Sequence, residues 1–192
     1  MAREAVRESA AERDLRRLDQ TGVLAEHGLR AEIIGGDLVI QGAPRPRHQG
    51  VVLAIASWLH AWAQAHGGYV AVGPIGVQLD PEHSVRPDVV FVRAEHTHLI
   101  AEDGLYFGPD LVVEVASPGT RSLDLVEKRA VYEGLRVPEY WVVDPDAGQV
   151  LVHRLGEGGY GPPQTLEGDA TLTPAATPGL ESAVAALVPP RR

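Results

Sequence analysis

The sequence predicts an α/β protein of the α+β kind, a central mixed sheet flanked by helices, and three observations carry that expectation. Segments of helical period alternate with short apolar runs in the order helix, strands, helix, strands. The run "DLVVEV" at 110–115 is apolar apart from its acidic residues, as a buried strand is. The 192 residues are 44% hydrophobic and 22% charged, which is enough apolar material for one sizeable core. One domain over 1–192 is expected, with a helical segment over 1–30, a core over about 30–155 and a C-terminal wrap over 156–192.

Taken in order, Leu15, Leu18, Val23 and Leu24 recur at helical spacing and are interrupted near Gly22, which predicts one or two helical segments. "AEIIGGDLVIQG" places two apolar runs around Gly35 and Gly36, a hairpin signal. From His48 to His66, Val52, Ile55, Leu59 and Trp62 recur at intervals of 3, 4 and 3 ahead of Gly67 and Gly68, so an amphipathic helix packed on a sheet is expected there. "YVAVGPIGVQLD" reads as two short strands bent at Gly73 and Pro74, and "HSVRPDVVFV" as a third with Pro87 near its beginning; together they suggest a meander. The strand around Glu114 leads through "SPGT" into a helix over about 122–134 with Ser122 as its N-cap. "EYWVVD" and "VLVHRL" are two more strands joined by the turn "PDAG". Past residue 156 periodicity fades, and "GLESAVAALV" is expected to dock as a last strand or helix.

Composition narrows the chemistry. With no cysteine, disulfides, thiolate zinc sites and cysteine nucleophiles are excluded, and any metal must sit on oxygen or imidazole. The first twenty residues carry charges of both signs without an apolar signal region, and no apolar run approaches ~18 residues, so a cytoplasmic protein with no membrane partner is expected. A net charge of -9 argues against a broad basic surface for nucleic acid, while leaving room for a small basic cleft.

Glu114 is the residue that an apolar strand does not explain, because a buried carboxylate is costly unless paired or bound to metal. Strand alternation puts Val112, Glu114 and Ala116 on one face. Asp88 opens the apolar strand "VVFV", and if the two strands are neighbours its carboxyl approaches that of Glu114. Two repelling carboxylates are usually reconciled by a divalent cation, and all-oxygen ligands favour Mg2+, with Mn2+ as the substitute. Asp124, Lys128 and Tyr132 fall at i, i+4 and i+8 on the following helix and form one ridge that folds back beside the strand. Two carboxylates holding a metal with a lysine alongside suit phosphodiester hydrolysis.

The succession "RPDVVFV", "PDLVVEVASPGT" and "DLVEKRAVYEGLRVPEYWVVDPD", with "EIIGGDLVIQGAPRPRHQGVV" upstream, resembles the bacterial Uma family of restriction-endonuclease-like proteins, distant relatives of the PD-(D/E)xK nucleases. The resemblance covers roughly residues 30–155. It implies a restriction-endonuclease-like core and a Mg2+-dependent endonuclease, with Asp88 as the PD aspartate, Glu114 as the second acidic ligand and nucleic acid, DNA first, as partner. The motif's lysine position holds Ala116, and the resemblance implies that Lys128 on the next helix takes its place. Fold-level analogy with duplex-cutting nucleases allows a homodimer.

Other readings stand beside this one. Glu114 could pair with Arg86 or Arg121 in a buried ion pair. Lys128 could be a solvated partner of Asp124. His48 after "APRPR" could line the cleft or touch phosphate, Arg45 and Arg47 could contact a phosphate, and Glu32 could add a further acid, although hairpin-flanking Glu is usually exposed. Trp58, Trp62 and Trp141 read as packing. A catalytically inactive binding or assembly module, and a hydrolase of a small phosphorylated substrate, are the alternative functions.

Overall fold

The computed structural model describes residues 9–117, 119 and 121–189. Ser9 caps helix α1 (Ala10–Thr21) through a capping box with Glu12, and Gly22 ends it in the left-handed region, followed by the short α2 (Val23–Glu26). Strands β1 (Arg30–Ile34) and β2 (Asp37–Gln41) form the expected hairpin; Gly35 and Gly36 take φ of 61° and 82°, which the primed two-residue turn requires. Leu15 and Leu24 pack on Ala31 and Ile33 of β1.

Helix α3 (Pro46–His66) begins two residues before His48 because Pro46 is suited to a first helical position, where its missing N–H costs nothing. Its buried stripe is Val52, Ile55, Leu59 and Ala63, and each fully buried Ile or Leu contributes about 1.5–3 kcal/mol. β3 (Tyr69–Val72), β4 (Val77–Asp80), β5 (His83–Val85) and β6 (Val89–Val92) follow. They are not a meander. β4 pairs with β5, β5 with β1, and β3 with β6, so the chain crosses twice between two sheets. The stretch read as one strand, "HSVRPDVVFV", breaks at 86–88, where Pro87 cannot donate to a ladder.

After a 3-10 turn (Ala94–Leu99) comes β7 (Leu111–Val115), paired antiparallel with β6 and parallel with β8 (Glu139–Asp144). A parallel pair needs a crossover, and the helix over 121–134 supplies it. Ser122 lies inside that helix rather than at its cap, since the first turn starts one residue earlier at Arg121. β9 (Gln149–Gly156), β10 (Gly159–Tyr160) and β11 (Gln164–Glu167) extend the large sheet to the order β10-β9-β8-β7-β6-β3, with β11 also on β9. The smaller sheet runs β2-β1-β5-β4. The tail is more ordered than its composition suggests: β12 (Thr171–Leu172) pairs with β13 (Ser182–Ala183), and a helical turn, Val184–Leu187, docks on the core.

The large sheet is covered on both faces. Val89, Phe91, Leu111, Val113, Val115 and Trp141 pack with α3 and the tail. Trp58 stacks on Trp141 at 6.4 Å and Trp62 meets Phe91 edge-on at 5.8 Å, so the tryptophans serve packing. On the opposite face, Val112, Ala116, Tyr140 and Val142 pack with Val131 and Tyr132 of the crossover helix and with Val77 and Val85 of the smaller sheet. Glu114 belongs to this second face. The architecture is therefore a mixed sheet flanked by helices, and among the described residues no helix is long and apolar enough to cross a membrane.

Candidate functional site: an acidic cleft around Lys128

Where the small sheet, β7, the crossover helix and the start of α3 converge, a cleft of about 440 Å3 opens, and Glu32, His48, Asp88, Glu114, Asp124 and Lys128 all line it. Its centre is Lys128. Nζ lies 2.9 Å from Glu32 Oε2, 3.0 Å from Glu114 Oε1 and 3.8 Å from Asp124 Oδ1. Tyr132 Oη donates to the same Glu114 oxygen at 2.7 Å. These groups are buried, Lys128 and Asp124 at 2% exposure and Glu114 at 3%.

The crossover helix makes this convergence with an unusual turn. Its middle, Asp124–Lys128, is π-helical between α-helical Arg121–Leu123 and Arg129–Gly134. In a regular helix, residues four apart drift by ~40° around the axis. The wider π turn reduces that drift and keeps Asp124, Lys128 and Tyr132 aimed at β7, while Val126 is left 64% exposed. Lys128 is therefore not solvated. Glu114 does not pair with Arg86 or Arg121 either: Arg86 reaches Asp19 and Arg121 reaches Asp144, both outside the acidic cluster.

Asp88 is built differently. Oδ2 accepts from the Val115 backbone N–H at 2.9 Å and bonds to His48 Nε2 at 3.0 Å, while Oδ1 accepts from Arg30 at 2.9 Å. The bond to Val115 follows from β6 and β7 being neighbours in the sheet. Glu32, on β1, accepts from the Arg86 backbone N–H, freed by the break before Pro87, and from Gln41. Arg47 lies away from the carboxylates and donates to the carbonyls of Pro145 and Pro189, tying α3 to the tail. Arg45 lines the cleft and is exposed. Arg30 was not singled out by sequence; its signal is the i, i+2 spacing from Glu32 on β1, which places both on one face.

The electrostatics separate the two acids. Burial pulls the Asp88 pKa upward, but the His48, Val115 and Arg30 bonds outweigh it and hold the carboxyl below the ordinary aspartate value. For Glu114 burial prevails. It pushes the pKa well above the usual glutamate value, Lys128 opposes it, and Asp124, Asp88 and Glu32 push it further up. Lys128 is pulled down by burial but raised more strongly by Glu114, Glu32 and Asp124, so its ammonium stays charged. Three carboxyl groups meet one ammonium, and full ionisation leaves excess negative charge in a buried place. A proton on Glu114 relieves it, and so would a hard divalent cation, for which carboxylate oxygens are suitable donors. Among the described residues no group of three or more acid or histidine side chains is arranged to hold a metal ion, so an ion bound here would take most of its ligands from water.

The sequence profile of Uma2, described as "Putative restriction endonuclease", matches residues 13–185. No curated protein matches. Among solved structures, a chain described as a putative nuclease belonging to DUF820 from Anabaena variabilis ATCC 29413 superposes with a TM-score of 0.71. It is 17% identical over 82% of this chain and 89% of its own, a likeness of fold. A profile match spanning nearly the whole chain makes the protein a member of the Uma2 family.

Proposed function

We propose that the cleft is the active site of a divalent-metal-dependent nuclease, in which Asp88 and Glu114 hold the metal and Lys128 attends the reacting phosphate. The observation that carries this reading is a buried group of acids gathered around one lysine, on a fold and in a family of nuclease type. The bound ion would supply Lewis acidity and a nucleophilic water. The chain's own residues would do the positioning. Arg30, His48 and the Val115 N–H keep Asp88 ionised and fixed. Tyr132 orients Glu114. Lys128, kept charged by its acidic neighbours, is suited to neutralise charge developing on phosphate oxygens rather than to accept a proton.

The test is cleavage of end-labelled DNA and RNA oligonucleotides with Mg2+, Mn2+ or EDTA. Metal-dependent cutting by wild type, lost in Asp88→Asn and Glu114→Gln, supports the reading. Cutting retained in both variants, or no cutting under any condition, removes it. A second reading, an inactive nuclease-fold binding module, draws on Lys128 already engaging three acids without metal. Normal folding of both variants with intact partner binding and no cleavage would favour it.

A further inference from the structure

The shape of the cleft bears on which form of nucleic acid it takes. Its volume of about 440 Å3 lies in the small-ligand class of ~300–1,000 Å3, room for a nucleotide and not for a length of duplex. The acids and the lysine lie at its floor, none more than 5% exposed. Duplex phosphates ride on the outside of a stiff rod, whereas an unpaired nucleotide can enter a pocket of this volume.

The walls match one nucleotide in chemistry. Val39 sits directly across from Glu32 in the hairpin, on the same face, and Leu123 and Pro44 line the cleft with it. These aliphatic surfaces offer contact to a sugar or base without reading its edges. Arg30, Arg86 and Lys128 are each committed to a carboxylate. Arg45 is the cation lining the cleft that pairs with no acid among the described residues, and it stands exposed at the rim where α3 begins. With a net charge of -9, the molecule has little general attraction for a polyanion, so binding must come from a few local contacts.

We propose that the cleft admits a single strand of nucleic acid one nucleotide at a time, with Arg45 holding a phosphate next to the reacting one, and that intact duplex is excluded. The proposal rests on the nuclease reading for the fate of that strand, though not for its binding.

The experiment is fluorescence anisotropy with a labelled hexanucleotide, as DNA and as RNA, and with a blunt duplex of the same sequence, in EDTA and again with Ca2+. Wild type, Arg45→Ala and Arg17→Ala are compared; Arg17 is an exposed arginine on α1 outside the cleft. The single strand should bind at least tenfold more tightly than the duplex. Arg45→Ala should weaken it about tenfold and lower the salt slope by ~0.7, one phosphate contact on a single strand. Arg17→Ala should leave both unchanged. The preference between the DNA and RNA hexamers identifies the sugar. The proposal is overturned if duplex binds as well as single strand, if both arginine variants behave alike, if no hexamer binds, or if a mononucleotide competes as well as the hexamer. Metal-dependent cleavage of duplex without cleavage of single strand would overturn it and leave the nuclease reading standing. Single-strand binding without cleavage in any metal would do the reverse.

Discussion

Replacing Lys128 by Met removes the only ammonium within reach of Glu32, Glu114 and Asp124 among the described residues, and keeps a side chain of similar length in its buried place. Taking one partner from a buried ion pair costs about 3–5 kcal/mol, because the remaining charge is left without compensation. Against a total stability of ~5–15 kcal/mol this is a large fraction. For a chain of this length each kcal/mol shifts the midpoint by ~2–4 °C, so Lys128→Met should melt about 6–20 °C below wild type at pH 8. The loss should shrink on acidification. Glu114 has a raised pKa in the folded state, so the folded protein binds more protons than the unfolded one between the ordinary glutamate value and that raised value, and stability falls as pH rises through this window. Removing Lys128 deepens the effect, and the variant should regain much of its stability from pH 8 to pH 5. Lys128 itself contributes no slope there, because its stabilising charge is fully present below its unfolded pKa and lost only above it. Urea unfolding of both proteins at pH 8, 6 and 5 measures this. A Lys128→Met protein as stable as wild type at pH 8, or one that loses further stability at pH 5, would refute the reasoning.

Three further outcomes are expected. Tyr132→Phe deletes the hydroxyl that bonds Glu114 and should cost about 1–3 kcal/mol in urea unfolding; an unchanged midpoint contradicts the bond's role. Arg30→Met should move the Asp88 titration upward in carboxyl NMR. Asp88 has a depressed pKa, so its contribution is present above the ordinary aspartate value and lost as pH falls through the folded one; Arg30→Met should therefore lose stability above pH 4 and narrow the difference below it. Deleting Val126, an exposed residue of the π turn, should restore regular helical spacing, turn Lys128 away from Glu114 and abolish cleavage. Val126→Ala, with no register change, should stay within ~0.5 kcal/mol and keep activity.

Much of this molecule was legible from residue order. The hairpin and period-3.6 signals located β1, β2, α3 and the crossover helix, and apolar runs located β7 and β8, which are buried on both faces. What escaped was pairing between distant segments. Nothing local in "YVAVGPIGVQLDPEHSV" says that β3 belongs to the large sheet and β4 to the small one; the division depends on partners supplied by β6 and β1. In the tail, "GLESAVAALV", expected to dock as a strand or helix, holds β13 and the closing helical turn, whereas β10 and β12 were missed because they are two residues each, too short for any period. At the cleft, the oddity of Glu114 in an apolar strand and the ridge of Asp124, Lys128 and Tyr132 were visible. The burial of Glu32 was not, since it depends on Lys128 reaching across from another layer. Arg30 and His48 as holders of Asp88 likewise depend on the meeting of β1, α3 and β6.

The most direct measurement of the central claim is the melting temperature of wild type and Glu114→Gln during titration with Mn2+ at neutral pH. At a metal concentration ~100 times the dissociation constant, specific binding stabilises the folded state by about 2.7 kcal/mol, or ~5–11 °C at this chain length. The account predicts that rise in wild type, saturating with concentration, and none in Glu114→Gln. A wild-type protein that does not respond, or a variant that responds equally, would contradict a metal-binding role for the carboxylate beside Lys128.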